Sequence, residues 1–466
     1  MSSGARHVTG NVVLARGIQL AALGVISMFL YVATRAAPES GGSVGTIASL
    51  GYILLAGTLV SELVAVVRLP HVTGYLLAGI VAGPHVAALI DERSVANLTT
   101  VNTLALSLIA LEGGAHLRTS TLRQGWKSLS WATLFQSVFV LVCTTIVFLA
   151  LRPYIPFART LGGTAALGTA LLWGTIAVTR SPSATLGILA ETRASGPVMT
   201  STLSLVMTSD VVVVVLLATV MVFARPMIDP TATFSLHDLG DLGHELLGSV
   251  ALGTTLGIVL AAYTRFVRTQ LLLVFLALGF GMSALVAYVR FDSLLAVMVA
   301  GFVVQNLSRQ GEVFIQAIEE TGSIVFVIFF ATAGAHLDLG LLRRLWPVAL
   351  TLAVTRAVIT WLASRAAGRF AGDTPMVKRW GWAGLVSQAG LALGVAALIE
   401  RAFPQLGSGF RALATATVAL NEMVGPVLFK VALDRSGESS HTPRNTSPSL
   451  PSAETAAAEQ DRPAGM

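Results

Sequence analysis

The chain has 466 residues, is 54% hydrophobic and 12% charged, and has a mean hydropathy of +0.76. A soluble domain of this length needs far more charge to cover its surface, which argues against a water-soluble enzyme or binding module. The net charge of +6 comes from Lys and Arg in short loops between apolar blocks, a positive-inside pattern and not a nucleic-acid signal. A single cysteine, Cys143, excludes an intramolecular disulfide and any multi-cysteine metal site.

The apolar blocks are about 20 residues long, the length a helix needs to cross a bilayer core. They predict an all-α polytopic protein with spans near 15–33, 44–67, 71–90, 99–116, 128–151, 162–190, 197–223, 243–265, 270–288, 292–307, 320–337, 345–367, 380–401 and 408–433. The first span follows Arg6 and Arg16 and precedes Ala36 and Ala37, an outline shared by anchor helices and signal peptides. Pro38 disfavours cleavage there and the run is long for a signal, so an anchor in an N-terminal segment 1–43 is expected. Block 99–116 is short and block 162–190 is long. Loop 117–127, with Arg118, Arg123 and Lys127, and loop 366–379, with Arg369, Lys378 and Arg379, place both termini on the inner side. The hairpin with Arg343 and Arg344 runs against that bias. After the membrane part, 44–433, the segment 434–466 is rich in Ser, Thr, Pro, Ala and Glu and reads as a disordered cytoplasmic tail.

The chain repeats itself. Gly114, Ala115, His116, Leu117, Leu122, Arg123 and Trp126 recur as Gly334, Ala335, His336, Leu337, Leu342, Arg343 and Trp346, all at an offset of 220. The two copies end spans that run in opposite directions, which makes this an inverted repeat. Two spans beyond the first copy, Thr179, Arg180, Ser181, Pro182, Ser183, Ala184 and Thr185 interrupt an apolar block. Two spans beyond the second, Ser387, Gln388, Ala389 and Gly390 do the same. Pro182 removes a donor and clashes with the preceding turn, and neighbouring hydroxyls can satisfy the freed carbonyls. Paired interrupted spans are the strongest sequence pointer to a transport site.

Asp210 is central in its span and is followed by five valines. A carboxylate at that depth costs about 2.5–3.5 kcal/mol, and a proton or a cation offsets its charge. Na⁺ and K⁺ prefer hard oxygen ligands, which Thr208, Ser209, Thr179, Ser181 and Ser183 can supply. The alternative is a structural ion pair between Asp210 and a neighbouring arginine. Arg356 and Arg180 are the intramembrane cations, expected to compensate half-helix dipoles or, for Arg356, to pair with Asp210. Glu422 is a second proton site or a carboxylate capping a break at Gly425 and Pro426. Glu112, His116 and His336 close their spans and are expected at the interface. Gly-x-Gly patterns lie in apolar spans without a strand–helix context, and the candidate histidines, His116 and His336, lie at span ends, so neither an enzyme nor a cofactor is expected.

These features resemble the monovalent cation/proton antiporter superfamily, in particular its bacterial Na⁺(K⁺)/H⁺ exchangers. The segment from Leu69 and Pro70 through Gly74, Tyr75, Leu76, Leu77, Ala78 and Gly79 to Gly83 and Pro84 is similar to the family's early "LPxVxGYLLAGxxxGP". Phe329, Phe330 and Gly334 resemble its "FFxxxG", and Val424, Gly425 and Pro426 its last span. The resemblance implies thirteen family helices, here with one extra at the N-terminus. It also implies a dimerisation domain and a core domain with two crossed, interrupted helices, moving as an elevator. A homodimer in a bacterial inner membrane exchanging H⁺ for Na⁺ or K⁺ follows from it. It matches Asp210 to the ion-binding aspartate and Arg356 to the basic residue before the second interrupted helix. Thr179 to Thr185 fall on the first interruption and Gln388 to Gly390 on the second. Ser209 departs from the Asp or Asn that usually precedes the ion-binding Asp, leaving stoichiometry and selectivity open. The competing classes are a cation-coupled organic anion carrier and a non-transporting membrane sensor.

Overall fold

The computed structural model describes residues 19, 21, 23–28, 43–67, 69–229, 237–266, 291, 293–308, 311–337 and 339–440. Every regular element among them is helical. In hydrocarbon a backbone must satisfy its own N–H and C=O groups, and a helix does so within one segment. Eight helices among the described residues are long and apolar enough to cross a membrane, so this is a multi-pass membrane protein. The expected span 270–288 and most of 15–33 lie outside the described residues, as does the question of an N-terminal anchor.

In chain order the helices are α1 (Ser43–Ala65), α2 (His71–Ala82), α3 (Glu92–Asn97), α4 (Thr99–Ala115), α5 (Thr119–Gln124) and α6 (Trp126–Leu134). A π turn, Phe135–Phe139, joins α6 to α7 (Val140–Leu151). Then come α8 (Gly163–Val178), α9 (Pro182–Thr192), α10 (Pro197–Ile228), α11 (His237–Phe266), α12 (Ser293–Leu307) and α13 (Gly311–Ala335). The last four are α14 (Leu339–Ala371), α15 (Pro375–Trp380), α16 (Gly390–Ala402) and α17 (Gly407–Ser436), with a 3₁₀ turn, Ala383–Leu385, ahead of α16.

The helices pack in two groups. In one, α2 lies on α1 and α13, α4 on α12 and α13, and α12 on α11. Its core includes Ile109, Met298, Phe326 and Phe330. In the other, α8 lies on α7 and α10, α14 on α7 and α17, and α16 on α17, around Phe148, Trp173, Ile399 and Phe410. Segment α9 contacts both groups, through α4 and α17.

The two repeat copies share their local geometry. His116 Nδ1 lies 2.9 Å from Glu112 O and His336 Nδ1 2.8 Å from Thr332 O. In each copy the next leucine N–H donates to the glycine carbonyl at 3.1 Å. Both glycines mark close approaches between helices. A Cβ on Gly114 would strike the Met298 carbonyl of α12, and one on Gly334 the Leu76 carbonyl of α2.

Several expected boundaries move. The span expected over 71–90 is helical only to Ala82, where Gly83 turns extended ahead of Pro84. The long block 162–190 is two helices, because Pro182 opens α9 and cannot donate back to Val178. No break occurs at Gly425 and Pro426: α17 continues through both to Ser436, so Glu422 caps nothing there. Ordered chain also extends into the segment expected as tail. Glu438 is buried and accepts from Val198 N and Met199 N, each at 2.8 Å, capping the start of α10.

Candidate functional site

Two interruptions meet inside the second helix group. The first is Thr179, Arg180 and Ser181, between α8 and α9; the second is residues 386–389, ahead of α16. All seven of these residues are buried. Interrupting a helix leaves C-terminal carbonyls without intrahelical donors, and burying one unsatisfied costs about 1–3 kcal/mol.

Arg356, 3% exposed on α14, resolves this for both interruptions at once. Its Nε donates to Ala177 O at 2.7 Å and its Nη2 to Thr179 O at 2.8 Å. Its Nη1 donates to Val386 O at 2.7 Å and its Nη2 also to Leu385 O at 3.3 Å. The guanidinium therefore spends its planar fork on the negative ends of two half-helices. Of the two roles open to Arg356, dipole compensation is the one its hydrogen bonds serve.

Gln388 ties the second interruption to the first. Its Nε2 donates to Ile176 O and to Thr179 Oγ1, both at 2.8 Å, and its Oε1 accepts from Asn421 Nδ2 at 2.7 Å. Ser387 is buried where α17 crosses. A Cβ on Gly425 would come within 2.6 Å of the Ser387 Cα, so this crossing requires glycine.

Asp210, half-buried on α10, lines a small cavity of about 40 Å³. Arg180 and Ser181 of the first interruption line it too, as do Pro182 and Ser183 at the start of α9 and Ala389, Gly390 and Leu391 at the start of α16. Arg180 is 3% exposed and lies within electrostatic range of Asp210. Ser181 Oγ caps α9, accepting from Ala184 N at 3.1 Å, and lies 3.0 Å from Ser183 Oγ. The start of α16 has no side-chain cap among the described residues, so its N–H groups offer positive potential beside the carboxylate.

The expected oxygen ligands divide. Ser181 and Ser183 line the cavity with Asp210. Thr208, Ser209 and Thr179 do not, and each spends its hydroxyl on its own backbone: Thr208 on Ser204 O at 2.8 Å, Ser209 on Val206 O at 2.6 Å, Thr179 on Ile176 O at 2.7 Å. Gly390, the first residue of α16, lines the cavity, whereas Gln388 lines a second, smaller cavity with Arg356. Glu422 is 5% exposed on α17 next to Asn421, and its Oε1 has no hydrogen-bond partner among the described residues.

Glu112 corrects an expectation. It is 4% exposed and not interfacial, because α12 and α13 pack over α4. With His116, Arg118 and Arg193 it lines a cavity of about 630 Å³ that reaches Leu203 and Ser204 of α10. Sequence reasoning also missed Gln136 and Asn421, both buried and both bonded to an interruption. The one signal for them was an amide in an otherwise apolar span.

The architecture is similar to that of solved transporters. The structure of the sodium proton antiporter MjNhaP1 from Methanocaldococcus jannaschii at pH 8 aligns with a TM-score of 0.63 at 16% identity, covering 85% of this chain and 97% of that one. A second structure, an electron-microscopy map of the same antiporter, aligns with a TM-score of 0.64 at 16% identity, covering 85% and 99%. No curated protein sequence matches the chain. The family model described as "Sodium/hydrogen exchanger, transmembrane" matches residues 48–433, and the chain accordingly belongs to this family of membrane cation/proton antiporters.

Proposed function

We propose that exchange runs through Asp210, which holds either a proton or one Na⁺ or K⁺ ion and carries it across by alternating access. The observation that carries this reading is the cavity shared by Asp210 and the two interruptions. Asp210 is the only acid lining it among the described residues. One carboxylate offers one site, so the two ions compete for it and each turnover exchanges one for one. Ser181 and Ser183 supply hard oxygens beside it. A cavity of about 40 Å³ suits a small ion. It is far below the roughly 300 Å³ of a small-molecule pocket, which counts against an organic anion carrier despite Arg180.

The wider assembly follows the same reading. The 44–433 segment is the exchanger domain, with 1–43 ahead of it and a cytoplasmic tail after it. The chain works as a homodimer in a bacterial inner membrane, with both termini cytoplasmic. The two helix groups are the parts that move past one another. Proteoliposomes with a set pH gradient test the core of this: wild-type protein releases protons on addition of Na⁺ or K⁺, at a rate insensitive to membrane potential, and Asp210→Asn abolishes it. Full exchange by Asp210→Asn would sink the proposal.

A further inference from the structure

The helix running from Trp126 to Leu151 contains neither proline nor glycine, yet it opens into a π turn at Phe135–Phe139. Nothing in its local sequence imposes that turn, so tertiary contacts must hold it. Gln136, in the turn, is 0% exposed and has partners at both ends of its amide. Its Nε2 donates to Thr360 O at 3.0 Å and to Ser364 Oγ at 2.7 Å, both on α14. Its Oε1 accepts from Arg180 Nη2 at 3.1 Å. The orientation of the amide is chemically determined, since a guanidinium only donates and a carbonyl only accepts.

Arg180 is an unusual group to find beside a cation site. Its Nε has no hydrogen-bond partner among the described residues. The charged groups it senses are Asp210 on α10 and, repulsively, Arg356 on α14. The α4, α12 and α16 residues that share its cavity are apolar or glycine. The side chain anchoring it from α6–α7 is thus a neutral amide. An amide fixes the position of a guanidinium without neutralising it, and Arg180's charge stays available to Asp210.

We propose that Gln136 is a positioning residue of the exchange reaction, holding the Arg180 guanidinium at a set distance from Asp210 and thereby setting how hard a cation must compete for that carboxylate. This rests on the role given to Asp210 above. A carboxylate in place of the amide draws Arg180 toward α6–α7 and leaves Asp210 more open to cations. An apolar side chain releases Arg180 toward Asp210 and closes it.

The test is the apparent KM for Na⁺ against maximal rate in proteoliposomes. Gln136→Glu lowers KM and Gln136→Leu raises it, each by about tenfold, the effect of one hydrogen bond to a charged group. In an Arg180→Met background, Gln136→Glu no longer moves KM. Should Gln136→Leu not fold, Gln136→Asn, whose amide falls short of Arg180, takes its place with the same direction. A residue with a merely structural role lowers maximal rate or thermal stability in both variants and leaves KM alone. That result, or KM moving the same way in both, overturns the proposal. If Asp210→Asn abolishes exchange while KM stays fixed in the Gln136 variants, only the role of Gln136 falls.

Discussion

The two interruptions are alike in how they are closed and unlike in what they present. Arg356 takes two carbonyls from each, so both negative half-helix ends are neutralised by one guanidinium. The first interruption then turns a charge, Arg180, into the cavity of Asp210, and its following helix is capped by Ser181. The second turns its polar side chain, Gln388, back onto the first, and sends an uncapped helix start into the cavity. One half therefore supplies side-chain chemistry and the other supplies backbone dipole. A small, buried cavity needs this division. Two charged interruptions would put two guanidiniums next to one carboxylate, and two capped ones would leave it no free N–H groups.

The shared element is the first to break. Arg356→Met strands four buried carbonyls, and each buried acceptor left unsatisfied costs about 1–3 kcal/mol. We expect thermal unfolding in detergent at a much lower temperature and loss of exchange, with Arg356→Lys restoring little, because an ammonium lacks the planar fork. Equal stability of Arg356→Met and wild type would show that the carbonyls find other donors.

A smaller effect separates the halves. Gln388→Leu removes the bonds from the second interruption to the first and leaves the Asn421 amide without its acceptor, at a cost of about 1–3 kcal/mol. Because Gln388 lies away from the cavity, the KM for Na⁺ should stay near wild type while stability falls. A KM shift as large as that in the Gln136 variants would mean that the second half also reaches the ion.

The smallest effect lies outside both halves. Asp373, between α14 and α15, is half-buried, and burial raises its pKa above the ordinary value in spite of a hydrogen bond from Ser128 and the charge of Lys378. The folded state then binds this proton more tightly than the unfolded state, so stability falls as pH rises through and above the ordinary carboxylate range. Asp373→Asn should flatten that decline in a thermal scan across pH, leave stability unchanged at acid pH, and leave exchange intact. A decline as steep as wild type would assign the pH dependence elsewhere.

Much of this was legible beforehand. The length of block 162–190 with Pro182 inside it exposed the first interruption, because proline lacks the donor a continuing helix needs. Asp210 and Arg356 were legible because an ionisable group in an apolar span is too costly to be incidental. What stayed hidden were polar groups whose meaning depends on their neighbours. Glu112 sits near a helix end, where exposure is the natural inference, and only the packing of α12 and α13 buries it. Gly425 and Pro426 look like a break, yet α17 passes through them, since a membrane helix tolerates proline where neighbours re-satisfy its backbone.

By itself the sequence determined the polytopic class, the two interrupted segments and the carboxylate around which they gather, because composition, proline chemistry and the cost of burying charge act locally along a chain. The tertiary structure alone decided which oxygens face Asp210, that Arg356 binds carbonyls of both interruptions, and that Gln136 holds Arg180. Those facts depend on which faces of distant helices meet, and a linear order of residues does not encode a helix's rotation about its axis until its neighbours are in place.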